Sequence, residues 1–297
     1  MSDYHYIISG LPDISLDEGK APLTRAQFMT DVYEHLSAPD LKLMDLLLLE
    51  NDCRNLLDIL QNDRARQDAS STGYADVHDS LDSTTKGLFS QAQLEELIDL
   101  VKNQDRCPSG VPEFMYRFVE EWMDGSWKEV AGFAEDSLWS LFYEYAMQSG
   151  NEFVDSWYGF NLDLNNIQTA VTARKYGFDI QKVIVGDNET AHALRTSGAR
   201  DWGLSQELDY FDDVMKLTEE PDLAQREHKT DVLRWRWLED NTFFNYFSVE
   251  RLFSYMVRLG MVERWTALDR EKGQQLFREL IGSLKDQTEV PQEFRVN

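Results

Sequence analysis

The segment Phe243–Trp265 constrains this chain more than any other. Its residues Val249, Leu252, Phe253, Met256 and Val257 recur at offsets of 3, 4, 7 and 8. That spacing lays them on one stripe of an α-helix, with Ser248 standing where the helix needs a cap. The design recurs twice in weaker form. Asp52 precedes Cys53, Leu56, Leu57 and Leu60, and Asp163 precedes Leu164, Ile167 and Val171. An asparagine falls at the same offset in both, Asn55 and Asn166. Three such stretches, around 40–65, 152–176 and 243–268, read as a divergent internal repeat and point to an architectural protein. Any capped amphipathic helix gives this spacing, so an all-helical chain without repeats accounts for it as well.

With 297 residues, 42% of them hydrophobic, the chain has ample material for a core, read here as a single all-helical domain over 1–297. Only seven prolines and sixteen glycines argue against a turn-rich β-sandwich. Acidic residues outnumber basic ones, 54 to 29, for a net charge of −25. Phosphate backbones and anionic membranes need basic patches, so neither is an expected partner. A basic protein, a divalent cation or mere solubility fits the charge. Cys53 and Cys107 form neither a CxxC pair nor a disulfide framework, and Cys53 falls on an apolar stripe. The opening MSDYHYIISG lacks the pattern of a signal peptide, and the apolar run Leu46–Leu49 is far too short to span a bilayer. A cytoplasmic chain without direct membrane insertion is the expectation.

Helix signals dominate the rest. Thr24 with Gln27 and Ser90 with Gln93 are capping boxes, opening helices to about His35 and Lys102. Pro39 and Asp40 start a helix to Leu49, Glu50-Asn51-Asp52 reads as a break, and Cys53–Arg64 resumes. Tyr4–Ser9 reads as a strand or extended arm, and Asp68–Lys86 as a loop. Pro112 suits a helix start, and Ala134–Gln148 is helical up to a stop near Gly150. Asp163 is expected to cap a helix to Lys175 before Gly177. Further helices fit 189–196, 205–217, 222–239, 248–259 and 269–284, while Val183–Val185 is too short to establish a sheet.

Catalytic motifs are missing. No phosphate-binding GxxxxGK[ST] or GxGxxG occurs, nor HExxH, nor GxSxG. Glu189-x-x-His192 has di-iron spacing, but such a site needs two of these motifs, so a surface pair is the plainer reading. Glu120, Glu121 and Asp124 beside Trp122 and Trp127 leave open an all-helical glycoside hydrolase with an Asp/Glu pair. Arg234-Trp235-Arg236-Trp237 alternates the residue types of binding hot spots. On a helix Trp235 and Trp237 point roughly 200° apart, which favours arginine stems covering core aromatics. No cofactor is called for by any of these patterns. An acidic scaffold for some other complex is the third alternative.

The Phe243–Trp265 segment resembles the last repeat of the stalk-to-ring coupling subunit of V/A-type rotary ATPases, a family shared by bacteria, archaea and eukaryotes. Glu250, Leu252 or Phe253, Tyr255 and Glu263 match that repeat. Asp52-x-x-Asn55-Leu56 and Asp163-x-x-Asn166-Ile167 look like the family's repeated D-x-x-N-L element. Tyr4-x-Tyr6 through Leu11-Pro12-Asp13, with Pro22-Leu23, resembles a bacterial family whose genes accompany V-type ATPase genes and stand in for that coupling subunit. Ile7-Ile8-Ser9-Gly10 departs from the basic residues of the coupling family's opening, and Arg258-Leu259-Gly260 from the Lys-x-x-Glu ending of its third unit. The resemblance implies an all-α funnel of three pseudo-repeated helical units, peripheral to the cytoplasmic face of the membrane. It implies the central stalk and membrane rotor ring of the V-type ATPase as partners. The role is mechanical coupling for ion or proton transport, with neither cofactor nor active site. Asp52 and Asp163 would cap helices, and Asn55 and Asn166 would tie those helices to neighbouring backbone.

Overall fold

Thr24 and Ser90 open their helices as the sequence predicts. Each side chain accepts from the backbone three residues on, and Gln27 and Gln93 reach back to the cap N–H. The computed structural model describes residues 4–17, 21–72 and 86–287, and every regular element among them is helical. The chain is all-α. It divides into two units, one formed by Ser37–Asn241 and the other by the segments on either side.

The unit of the flanking segments contains α1 (His5–Ser9), α2 (Arg25–Tyr33) and, beyond the larger unit, the 39-residue C-terminal helix Val249–Gln287. Tyr4–Ser9 is not a strand. Ile8 N–H bonds back to Tyr4 and Tyr4 N–H to Phe247, so the β-prone run closes its hydrogen bonds without a partner strand. The long helix also replaces the two helices expected at 248–259 and 269–284. Gly260 does not end it. A Cβ there would lie 3.3 Å from Arg25 Cδ, so the glycine lets α2 approach. Leu252, Phe253 and Met256 are fully buried, as their stripe requires, whereas Val257 is half-buried. Phe28 stacks on Tyr255 with ring centroids 5.4 Å apart. Burying side chains of this kind contributes roughly 1.5–3 kcal/mol each.

The larger unit runs through α3 (Ala38–Thr72), α4 (Gln91–Lys102), α5 (Glu113–Asp124), α6 (Trp127–Val130), α7 (Ala134–Ala146) and α8 (Glu152–Tyr176). It continues with α9 (Ile180–Val183), α10 (Glu189–Thr196), α11 (Phe211–Glu219) and α12 (Leu223–Thr242), so the long C-terminal helix is α13. Helix α3 passes straight through Glu50-Asn51-Asp52. These polar side chains are absorbed elsewhere and do not compete with their own backbone. Of the expected loop Asp68–Lys86, residues 68–72 are helical and 73–85 lie outside the described residues. Helix α6 had no signal in the sequence. The expected helix 205–217 is split into a 3₁₀ turn at Leu204–Gln206 and α11. Asp201 takes bonds from Gly203 N–H and Ser205 Oγ, which tightens the chain before α11. The core of this unit gathers Leu56, Leu94, Met115, Phe118, Leu138 and Phe142. Phe142 meets Tyr158 edge-on at 5.5 Å.

Candidate functional site

Asp52 and Asp163 are buried in the middle of long helices; neither is a cap. Asp52 lies well inside α3, which begins at Ala38, and α8 is capped by Asn151, whose side chain accepts from Val154 N–H. Both aspartates instead grip a distant loop. Asp52 Oδ2 accepts from Leu88 N–H at 2.8 Å and Oδ1 from Phe89 N–H at 3.1 Å. Asn51 Nδ2 donates to the carbonyl of Lys86 at 3.0 Å. The loop so held leads directly into Ser90, the cap of α4. It comes so close that a Cβ on Gly87 would sit 1.9 Å from Asp52 Oδ1.

The second grip reaches the same end with the roles exchanged, the asparagine holding loop backbone and the aspartate holding side chains. Asn166 Nδ2 donates to Val185 O at 2.8 Å, and Asn166 Oδ1 accepts from Val185 N–H at 2.9 Å. Asp163 accepts from Asn188 Nδ2 and from Tyr210 Oη, each at 2.8 Å. Asn188 is itself the cap of α10, accepting from Ala191 N–H with its other atom. Arg195 closes the loop from the far side, donating to the carbonyls of Ile184 and Gly186 at 2.8 Å. In both places a buried aspartate in a long helix fastens the approach to the next helix cap. Asn166 does tie its helix to neighbouring backbone, as expected; Asn55 is buried about one turn beyond Asp52.

Burial raises the Asp52 carboxyl to about 6, against the two backbone N–H bonds that lower it. Asp163 is raised by burial too, opposed by its bonds from Tyr210, Asn188 and Thr190. The Tyr210 hydroxyl is in turn driven up by burial and by the charge of Asp163.

In the other unit the motif residues do related work. Ser248 precedes α13, but its hydroxyl has no hydrogen-bond partner among the described residues, so the expected side-chain cap is not made. Glu250 lies in the first turn of α13, where the helix dipole favours it. Tyr255 Oη donates to Pro12 O at 2.9 Å. Glu263 Oε1 accepts from Arg25 N–H at 2.8 Å, one residue past the cap Thr24. A long helix again fastens the chain around a helix start. Neither bond had a local sequence signal, because the partners lie far apart in the chain.

Arg234 and Trp237 turn inward. Arg234 Nε donates to Asn161 Oδ1 at 2.8 Å, and its Nη1 lies 3.5 Å from Asp231 Oδ1. Trp237 stacks on Phe160, centroids 5.3 Å apart and planes 12° from parallel. Trp235 is half-buried and donates to Glu239 Oε1, while Arg236 is exposed, 3.6 Å from Asp213. Core packing accounts for the first pair.

Of the carboxylates considered for glycoside hydrolysis, Glu121 and Asp124 are both engaged by near neighbours. Glu121 is taken up by Arg117 Nε at 2.9 Å and Ser137 Oγ at 3.1 Å. Asp124 is held below the usual carboxylate range by bonds from the Ser126 backbone and side chain, whereas the acid of such a pair must be raised. Trp122 and Trp127 stack on each other at 6.4 Å. Glu189 and His192 are both exposed on α10. No group of three His, Cys, Asp or Glu residues able to hold a metal ion occurs among the described residues. No helix among them is long and apolar enough to cross a membrane.

Fold and site together define an all-α protein whose long helices fasten the approaches to other helices through buried polar side chains. The chain belongs to the family described as protein of unknown function (DUF2764), whose model matches residues 1–288. No curated protein and no solved structure matches it.

Proposed function

We propose that this chain is a non-catalytic coupling subunit of a V/A-type rotary ATPase, joining the central stalk to the membrane rotor ring. One observation carries the reading: the two D-x-x-N elements by which the sequence resembles the coupling family supply Asp52 to one helix-to-loop grip and both Asp163 and Asn166 to the other. A motif resemblance made by surface residues would have little weight. Here the shared residues are buried, and Asp52, Asp163 and Asn166 hold segments that lead to other helices. The third stretch contributes a tie of its own through Tyr255 and Glu263. Torque transmission asks for joints of this kind, since a loosely held loop would absorb the motion it should pass on. The excess of 25 negative charges suits a basic partner surface. Under this reading the protein works at the cytoplasmic face of the membrane without entering it.

The test is recovery of the tagged chain from gently solubilised native membranes, with its companions identified by mass spectrometry. Stalk and ring proteins retained in fixed ratio through a salt wash are the expected result. A monodisperse protein free of both overturns the proposal.

A further inference from the structure

We propose that the cleft between α5, α7 and the turn after α4 binds a lysine or arginine side chain from a basic peptide segment of a partner protein. The cleft has a volume of about 750 Å³, ample for one long side chain and its flanking backbone. Its base is apolar. Phe114 and Leu141 are buried there, and Tyr145, 43% exposed, faces Phe114 with ring centroids 5.1 Å apart. Its walls carry Glu113 and Glu120 from α5 and Glu144 from α7. None of the three has an ion-pair partner among the described residues. Of the two lining arginines, Arg117 is already paired with Glu121, and the single charge of Arg106 stands against four carboxylates, those three and Asp105.

This combination selects a ligand. An anion meets three carboxylates. A purely apolar ligand covers the base but strips water from the walls without replacing it. A cation on an aliphatic stem satisfies both, its stem on Phe114 and Tyr145 and its head among the carboxylates. The negative field is visible in neighbouring groups: after burial, Glu113 and Glu120 push the Cys107 thiol up, and Glu120 does the same to Tyr116. Gln104 and Gln148 line the same cleft with neutral amides. These match the backbone of a peptide, which accepts as well as donates, better than a free polyamine, which has only donors.

The inference stands on the cleft alone, so its failure leaves the rotary reading untouched. Binding of a fluorescent peptide of alternating arginine and alanine to the full chain is measured by anisotropy, with a glutamine–alanine peptide as control. Glu113→Gln with Glu144→Gln is expected to weaken binding about tenfold or more. Glu207→Gln with Glu227→Gln, which removes the same charge away from the cleft, is expected to leave it nearly unchanged. Tyr145→Ala, at an exposed ring, is expected to weaken it several-fold. Equal losses in the two double variants show attraction to the overall charge and overturn the proposal. So does a wild-type chain that fails to bind at saturating peptide. Competition by spermine as strong as that of unlabelled peptide overturns the assignment to a peptide.

Discussion

Asn166 and Val185 exchange two hydrogen bonds, the amide of Asn166 giving one at 2.8 Å and taking one at 2.9 Å. The side chain thus imitates a strand partner for one residue of loop, and Asn166 itself is 2% exposed. Removing it leaves a donor and an acceptor without their bonds. Asn166→Ala is expected to destabilise the protein by about 2–3 kcal/mol in urea unfolding and to speed amide exchange at Val185. Asn166→Asp keeps the acceptor but points a carboxylate oxygen at the Val185 carbonyl. It is expected to be at least as damaging, and a tolerated Asp would show that the reciprocal pair does not hold the loop.

The D-x-x-N elements were visible in the sequence, but their role was not. An aspartate ahead of an apolar run looks the same whether it caps a helix or lies within one. The deciding contacts, from Leu88 to Asp52 and from Tyr210 to Asp163, span 36 and 47 residues and leave no local periodicity. The capping boxes at Thr24 and Ser90 were legible because every partner lies within three residues. The helix end expected at Leu259, just before Gly260, fails for a related reason. The glycine's meaning depends on Arg25, which the chain brings up only after folding. The cleft lined by Glu113 and Glu144 was missed because its two walls belong to different helices.

Asp52 gives a pH dependence of known sign. Its carboxyl is raised to about 6 by burial, while an unfolded aspartate titrates at about 4. The folded chain therefore holds this proton more tightly. The resulting stabilisation is fully present below about pH 4 and is lost as the pH rises through about 6. Asp136 acts in the same direction, raised to about 6 by burial and then by Glu135. Asp52→Asn retains Asp136 but removes this part. Wild type is expected to be the more stable at about pH 4, since the protonated carboxyl keeps lone pairs on both oxygens facing Leu88 and Phe89, while an amide nitrogen cannot accept. That advantage is expected to shrink by about pH 7 in parallel denaturant titrations; a growing advantage would refute the assignment.

Glu263 supplies to Arg25 the partner that a first-turn N–H lacks inside its own helix. Glu263→Ala is expected to cost about 1–2 kcal/mol. The loss should fall on α2, read as faster amide exchange from Arg25 through Phe28, with the larger unit unaffected. Glu263→Gln keeps an acceptor and should recover most of the protection. Equal loss in both variants would mean that the charge at the start of α2, rather than the bond, is what matters.

Gln104 stands at φ 57°, left-handed backbone that a side chain with a Cβ resists. The turn needs that angle. Gln104 N–H bonds to Val101 O and Asp105 N–H to Leu100 O, the double closure of a helix end usually built with glycine. Gln104→Gly relieves the strain but gives the unfolded chain more freedom, which offsets part of the gain. A net stabilisation of about 0.5–1 kcal/mol is expected, read as a rise of a few degrees in Tm at most. Gln104→Ala tests whether the backbone is the cause. It retains the Cβ and loses only the amide, so its Tm should stay near that of wild type. If alanine raised the Tm as much as glycine, the gain would come from removing the side chain, and the strain argument would fail.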